Sequence, residues 1–309
     1  MKRITMMLLA AALTLAGCGQ GGTRLSIATG GTTGVYYIYG GGLAKVISSD
    51  LKGVEATASA TSASVDNIKL LTSGRADIGF SLADSAADAA LGKESFTSPQ
   101  PIRALARIYD NYTQLAVTRS SGVRKVADLK GKRVSVGAPN SGTLVIAHRM
   151  LEAAGIDPSR GIQAQQLGIN ESVQAMKDGT LDAFFWSGGV PTAGITDLTS
   201  TKKDVALIDT TDLLPALTQR YGDFYRAVTI SGSAYGLRAD VRTVGVANYL
   251  LVNAKMSDDL AHDITKLLFD KKAELERVHP EAKHLDKQLG QQVMPLQLHP
   301  GARRYYSAG

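Results

Sequence analysis

Apolar and polar positions along the chain change period in a recurring order. Leu25 to Thr29 ("LSIAT") alternates as a strand, a glycine-rich turn follows, and Val35, Ile38, Leu43, Val46 and Ile47 then fall on one helix face. Arg133 to Gly137 ("RVSVG") repeats this plan and leads through "APNSGT" into the helical pattern "LVIAHRMLEAAG". Further on, "SVDNIKLLTSGRADIGFS" (Ser64 to Ser81) corresponds to "VQAMKDGTLDAFFWS" (Val173 to Ser187). In each, a helix stops at a glycine, Gly74 or Gly179, as a left-handed C-cap requires. Three residues later comes an aspartate, Asp77 or Asp182, and then an apolar strand. The copies are offset by 109 residues at the first strand (Ser26 to Ser135) and by 105 at the aspartates.

Each copy therefore predicts a strand, turn, helix, strand, helix, strand unit, the pattern of an open α/β sheet. Two lobes of one design follow, and 309 residues suffice for two core-forming units at roughly 150 residues each. In such sheets ligands sit beyond the carboxyl ends of the strands, against helix N-termini. The opening turn of each lobe lies at that place.

Composition narrows the classes. Apolar residues make up 44% and charged residues 20%, ordinary for a soluble globular body and unlike a disordered or polytopic membrane chain. The net charge of +6 falls to +4 without Lys2 and Arg3, and the cations are scattered with no aromatic-basic interleaving, which argues against nucleic acid as a partner.

The first residues read "MKRITMMLLAAALTLAGCGQ": two cations, an apolar core from Met6 to Ala16, then small residues, the layout of an export signal over 1–17. Its end, Leu15-Ala16-Gly17-Cys18, resembles the bacterial lipobox, which implies acylation of Cys18 and a lipid tether on the outer side of a membrane. Ordinary cleavage nearby, with Cys18 incidental, is the alternative. Cys18 is the chain's only cysteine, an unusual stray thiol in an exported protein. No other apolar run approaches the roughly 20 residues of a membrane span. Residues 18–23 read as a flexible leader.

The two turns carry the candidate chemistry. Glycines let backbone approach a ligand closely, and the free N–H groups and positive dipole end of the following helix favour an anion. Thr32, Thr33, Tyr36 and Tyr37 add hydroxyls from one lobe, Ser141 and Thr143 from the other. Two such turns could clamp one small anion; a single one could as well be a plain tight turn. Other readings of the same letters fail. "GAPNSGT" has the glycine spacing of a P-loop, but Thr143 stands where the phosphate lysine should be. The opening turn lacks G-x-G-x-x-G, and "GSAYG" (Gly232 to Gly236) has its serine one place early for a nucleophile elbow. The five histidines show no zinc-ligand spacing, and nothing assembles a nucleophile, base and orienter. No catalytic residue, metal or cofactor is expected.

The chain resembles the TAXI family of solute-binding proteins, the extracytoplasmic receptors of a class of TRAP transporters. The resemblance runs from about Leu25 to the C-terminus through "IATGGTTGVYY", "SVDNIKLLTSGRADIGF", "DLKGKRVSVGAPNSGT", "LDAFFWSGGVPTAGI" and "LHPGARRYY". It implies a type II periplasmic-binding-protein fold, two α/β lobes joined by crossing segments with a ligand cleft between them. It also implies delivery of a solute to a membrane permease driven by an ion gradient. The lobes are expected at 24–115, 116–230 and, returning to the first lobe, 231–309, with Pro101 to Arg119 making the first crossing. The resemblance places ligand contacts at Gly31, Thr33 and Tyr36, at Ser64, Val65 and Asn67, at Asp84, at Ser141, Gly142 and Thr143, and at Ser187, Gly188 and Gly189.

On the residues alone, Ser64 could equally cap its helix, Asp84 could be a solvated or capping acid, and Trp186 could belong to the core. Tyr36 is the leading candidate. Three departures from the family pattern bear on specificity: Ser62 and Ala63 in place of a frequent glycine pair, Asn140 in place of a frequent glycine, and "WSGG" for a threonine-glycine pattern. No motif places an arginine for a bidentate clamp, so neutral donors and helix ends are expected to hold the solute, a glutamate-like amino acid or a C4/C5 dicarboxylate. A receptor for an ATP-driven importer and a ligand-presenting sensor module are the alternatives.

Overall fold

The computed structural model describes residues 22–308. The export signal and Cys18 lie outside the described residues. Among those described, no helix is long and apolar enough to cross a membrane.

The chain opens with β1 (Thr23–Ala28), α1 (Val35–Asp50), β2 (Val54–Ser59), α2 (Ser64–Thr72), β3 (Ile78–Leu82) and α3 (Ala83–Leu91), followed by the long strand β4 (Ile102–Thr118). The plan then recurs as β5 (Arg133–Ser135), α4 (Gly142–Ala153), β6 (Gln163–Gln165), α5 (Ile169–Lys177) and β7 (Ala183–Gly188). After it come α6 (Ala193–Thr201), β8 (Val205–Ile208), α7 (Leu214–Tyr221), β9 (Tyr225–Ile230) and a second long strand, β10 (Val241–Asn253). Helices α8 (Asp258–Asp270), α9 (Lys272–Val278), α10 (Lys287–Gly290) and α11 (Pro300–Ser307) complete it.

One mixed sheet runs in the order β2-β1-β3-β10-β4-β7-β5-β6, with β8 joined to β4 and β9 to β10. β1 pairs in parallel with β2 and β3, and β5 in parallel with β6 and β7, so each repeat forms its own parallel half. The two long strands join the halves. β4 pairs β10 up to Tyr112 and then β7 from Tyr112 to Val117; β10 pairs β9 from Val241 to Val246 and β3 from Asn248 to Val252. This is the two-lobed α/β architecture anticipated from the repeat.

The repeat is physical as well as visual. Gly74 and Gly179 sit just past α2 and α5 at φ 71° and 73°, in the left-handed region, and the same pair of backbone bonds closes each helix: Gly74 N–H to Leu71 O and Arg75 N–H to Leu70 O, Gly179 N–H to Met176 O and Thr180 N–H to Ala175 O. The matched aspartates do matched work. Asp77 Oδ2 accepts from the Ser26 N–H at 2.8 Å and Asp182 Oδ2 from the Arg133 N–H at 2.9 Å, tying each helix–strand turn to the first strand of its lobe. The register corrects the offset at that strand. Ile27 pairs Ile78 and Val134 pairs Ala183, so Ile27 and Val134 are the equivalents, 107 apart rather than 109.

One apolar cluster spans both lobes, with Val65 and Ile68 from α2 in contact with the same core as Val134, Met150 and Phe185. A second unites Leu43 of α1 and Phe80 of β3 with Ile264, Leu275 and Tyr306 of the C-terminal helices, which pack beside α1. Burying each such side chain contributes about 1.5–3 kcal/mol. Thus the last elements of the chain complete the core of the first lobe, and the strands that carry the site rest on a rigid base.

Candidate functional site

Where the two halves face each other, the carboxyl ends of the parallel strands open into a cleft of about 420 Å³, within the usual range for a small-molecule site. Four helices begin on it. Gly34, Ala63, Ser141 and Gly168 are the N-caps of α1, α2, α4 and α5, and all four residues line the cleft. Only Ser141 caps its own helix with its side chain, its Oγ accepting from the Leu144 N–H at 3.0 Å. The starts of α1, α2 and α5 have no side-chain cap, and apart from the Asp66 N–H of α2, which donates to Asn140 O, their first-turn N–H groups have no partner within the protein. Among the residues lining the cleft none is Lys, Arg or His, and Glu171, exposed at the rim, is the one carboxylate.

Close approach explains two glycines. A Cβ on Gly34 would stand 3.3 Å from two ring carbons of Trp186, and one on Gly142 would stand 2.5 Å from Ser64 Oγ and 2.6 Å from Leu82 Cδ1. Gly142 lies on one lobe and Ser64 and Leu82 on the other, so the halves touch across this point. Further bonds cross the gap. Thr33 Oγ1 donates to Asn170 Oδ1 at 2.5 Å, the Asp66 N–H to Asn140 O at 3.1 Å, and Lys69 Nζ to Asn140 Oδ1 at 2.9 Å. Asn140 holds φ 60°, a conformation asparagine tolerates in place of glycine, and its amide acts as an interlobe clasp rather than as part of the cleft wall.

Of the residues the resemblance placed at the site, Gly31, Tyr36, Ser64, Ser141, Gly142, Thr143, Ser187 and Gly188 line the cleft. Five do not. Thr33 lies at the rim, bonded to Asn170 as above. Val65 is in the shared core. Asn67 is fully buried with its bonds spent inside the protein: Nδ2 donates to Thr29 O at 2.7 Å and Phe80 O at 2.8 Å, and Oδ1 accepts from Thr61 Oγ1 at 2.6 Å. It holds the ends of β1 and β3 in place and so shapes the site without touching its space. Asp84 is wholly buried on α3, accepting from the Tyr225 hydroxyl at 3.0 Å, with Arg149 at 3.5 Å. A Cβ on Gly189 would meet Glu281 Cγ at 2.7 Å, away from the cleft.

Tyr36 also differs from expectation. Its ring lines the cleft and stacks on Phe80 at 5.1 Å, but its hydroxyl donates to Asn248 Oδ1 on β10. The proton expected to reach the solute is used internally. From there bonds continue across both long strands: Asn248 Nδ2 donates to Asn111 Oδ1 at 2.9 Å, and Asn111 Nδ2 to Ser187 Oγ at 3.4 Å. Tyr36, Asn111 and Ser187 of this chain line the cleft, Asn248 between them is fully buried, and the chain links the lobes through β10 and β4.

Several lining residues escaped the sequence reading, notably Tyr109 and Asn111 on β4 and Asn170 at the start of α5. Signals existed for both groups. Asp110, Asn111, Thr113 and Gln114 cluster in the middle of β4, and an offset of 105 carries the start of α2 onto the start of α5, Ser64 onto Ile169.

Fold and cleft together define a two-lobed α/β protein of the periplasmic solute-binding architecture. Similar solved structures include the periplasmic aliphatic sulphonate binding protein SsuA from Escherichia coli, with TM-score 0.50 and 15% identity, covering 92% of this chain and 83% of that one. A putative L-cystine ABC transporter protein from Listeria monocytogenes matches with TM-score 0.52 and 16% identity over 85% of this chain and 98% of that one. The GluR0 ligand binding core in complex with L-glutamate matches with TM-score 0.51 and 11% identity over 85% and 99%. At these identities the likeness is one of fold. By sequence, residues 27–308 match the model of the NMT1-like family, and the chain belongs to that family.

Proposed function

We propose that this protein is an extracytoplasmic receptor that captures a small organic anion between its lobes and hands it, chemically unchanged, to a membrane transporter. The observation that carries this reading is the convergence of four helix N-termini on one cleft lined by no cationic side chain. Such a site holds a carboxylate by backbone N–H groups and dipoles. The solute is a glutamate-like amino acid or a C4/C5 dicarboxylate, held by Gly31, Ser64, Ser141, Gly142, Thr143, Ser187 and Gly188, with the ring of Tyr36 as cleft wall. The lobes divide at about residues 115 and 230. The partner is an ion-gradient-driven TRAP permease, and Cys18 carries a lipid that tethers the receptor to the membrane.

A second reading has support in the neighbours. An L-cystine ABC transporter protein is among the similar structures, so a receptor for an ATP-driven importer fits the same fold. An adjacent gene for an ATPase subunit would favour it over a TRAP permease gene.

The experiment is a thermal-shift screen of residues 22–309, stripped of endogenous ligand by partial unfolding, against L-glutamate, L-glutamine, 2-oxoglutarate, 2-hydroxyglutarate, succinate, malate and fumarate. A solute at 100 times its dissociation constant adds about 2.7 kcal/mol, a rise of roughly 5 to 10 °C. A shift of that size for one or two acids supports the reading; silence across the panel removes the dicarboxylate and glutamate class. Recovery of the bound acid unaltered after incubation supports a receptor, and a product in its place would revive an enzyme.

A further inference from the structure

The lobes are joined around the cleft by ties of unequal strength. Along α4 they are buried and closely packed. Gly142 lies so near Ser64 and Leu82 that a Cβ would stand 2.5 and 2.6 Å from their side chains. Further along the helix Arg149 donates to Asp88 at 2.6 Å and lies 3.5 Å from Asp84, with Arg149 and Asp84 both buried. Glu281, buried in the first lobe, accepts from the Val190 N–H of the second at 2.6 Å. Parting these groups would leave buried charged and polar atoms without partners, a costly break. One exposed bond, Lys69 Nζ to Asn140 Oδ1 at 2.9 Å, joins α2 to the start of α4 as well.

The turn Gly31 to Gly34 meets the second lobe differently. It carries no charged residue. A single amide bridges two of its hydroxyls: Thr33 Oγ1 donates to Asn170 Oδ1 at 2.5 Å, and Asn170 Nδ2 donates to Thr32 Oγ1 at 3.3 Å. Both bonds are neutral and exposed, so water can replace them at little cost. Beside them two ring carbons of Trp186 stand 3.3 Å from where a Cβ on Gly34 would be. The indole is held from its own lobe, Nε1 donating to Thr192 Oγ1 at 3.0 Å, and the residue is half-buried. Moving the turn away uncovers one apolar edge and breaks no bond of Trp186.

We infer that the cleft opens between the turn Gly31 to Gly34 and the start of α5, that the solute enters and leaves there, and that the amide of Asn170 is the latch on this opening. Asn170 is in this account a positioning residue that acts through Thr32 and Thr33. The inference goes beyond the receptor reading, and only its solute-release arm rests on that reading.

The test is Asn170→Ala, with Lys69→Ala as the matched break of an exposed bond beside α4. Release of L-glutamate, 2-oxoglutarate or succinate, whichever the wild type binds, is followed by stopped flow. Trp186 is the only tryptophan of the chain and reports from the opening itself through acrylamide quenching. Asn170→Ala should release the acid about 3- to 10-fold faster, as expected for loss of exposed neutral bonds, and its tryptophan should be quenched more readily. Lys69→Ala should change neither. Because Asn170 works through Thr33, the double variant with Thr33→Val should release no faster than Asn170→Ala alone. Additive effects would make Asn170 a direct solute contact and overturn the latch. An unchanged release rate in Asn170→Ala, or one raised as much by Lys69→Ala, overturns the inference and leaves the receptor reading standing. If the wild type binds none of the three acids, the receptor reading falls and quenching of the ligand-free proteins decides alone: greater quenching in Asn170→Ala than in wild type and Lys69→Ala supports the latch, and equal quenching overturns it.

Discussion

The guanidinium of Arg149 on α4 donates to Asp88 Oδ2 at 2.6 Å and lies 3.5 Å from Asp84 Oδ2, so one cation of the second lobe is enclosed by two carboxylates on α3 of the first. Its other donor reaches the Tyr225 hydroxyl at 2.9 Å, and that hydroxyl donates on to Asp84. Burial works against the charge on Arg149, but Asp84, Tyr225 and Asp88 hold it protonated. This cluster, and not the solute, is what Asp84 serves.

Replacing Arg149 by Met should therefore strand two buried acids. The expected loss is about 3–5 kcal/mol at pH 7, read by urea unfolding. Asp88, pushed up to about 6 mainly by burial and against Arg149, is pushed higher in the variant, so the loss should shrink as the pH falls toward about 6 and level off below it. A loss under 1 kcal/mol would show that the cluster is no lobe-to-lobe tie.

Glu281 offers a pH dependence of its own. It lies in the segment after α9, where Oε1 accepts from the Val190 N–H of the other lobe at 2.6 Å. Burial raises it to about 7, against the Val190 bond and Lys283. Its folded pKa stands above the unfolded value, so the folded state keeps a proton that the unfolded chain releases. The stability it contributes is complete below about pH 4.5 and is lost as the pH rises to about 7. Glu281→Gln keeps an acceptor for Val190 and removes the titration. His279 and His284 nearby are both lowered by burial and bend the profile the other way, so the comparison is the difference between variant and wild type. That difference should grow in favour of the variant between pH 5 and 7, by on the order of 1–3 kcal/mol. A constant difference would contradict the assignment.

Ala63 holds φ 76° and ψ −144°, a conformation suited to glycine. Strain of this kind costs about 1–3 kcal/mol. Ala63→Gly should raise the unfolding midpoint by a few degrees even after the added chain entropy. A drop would mean that the alanine methyl contributes packing that outweighs the strain.

Tyr36→Phe should act on stability more than on affinity. It leaves Asn248 Oδ1 without its donor, at a cost of about 1–3 kcal/mol. A large fall in affinity with no change in unfolding would restore Tyr36 as the direct solute donor.

The repeat made the architecture legible. Period changes and glycine C-caps recur in the same order, 107 residues apart at the first strand and 105 at Gly74 and Gly179, and each reflects a local rule: alternation for strands, positive φ for Gly74 and Gly179. The site was only partly legible. Gly31, Ser141 and Gly142 line the cleft as expected because a strand-to-helix turn is local in sequence. Asn67 and Asp84 were misplaced because whether a polar side chain faces the cleft or the core depends on the neighbours it meets, Thr29 and Phe80 in one case and Arg149 and Tyr225 in the other. Tyr109 and Asn111 line the cleft from the middle of β4 and stayed hidden because the surroundings of a strand residue depend on the sheet and helices packed around it.

The central claim is that a small acid is held between the lobes, where Gly142 meets Ser64 and Leu82. The most direct measurement is calorimetric titration of that acid into wild type and Gly142→Val, with the variant's fold checked by circular dichroism. The added side chain would strike Ser64 Oγ and Leu82 and keep the lobes apart. The account predicts binding to wild type and loss of at least 100-fold in a variant that remains folded. Equal affinity in the two proteins would place the solute elsewhere and contradict it.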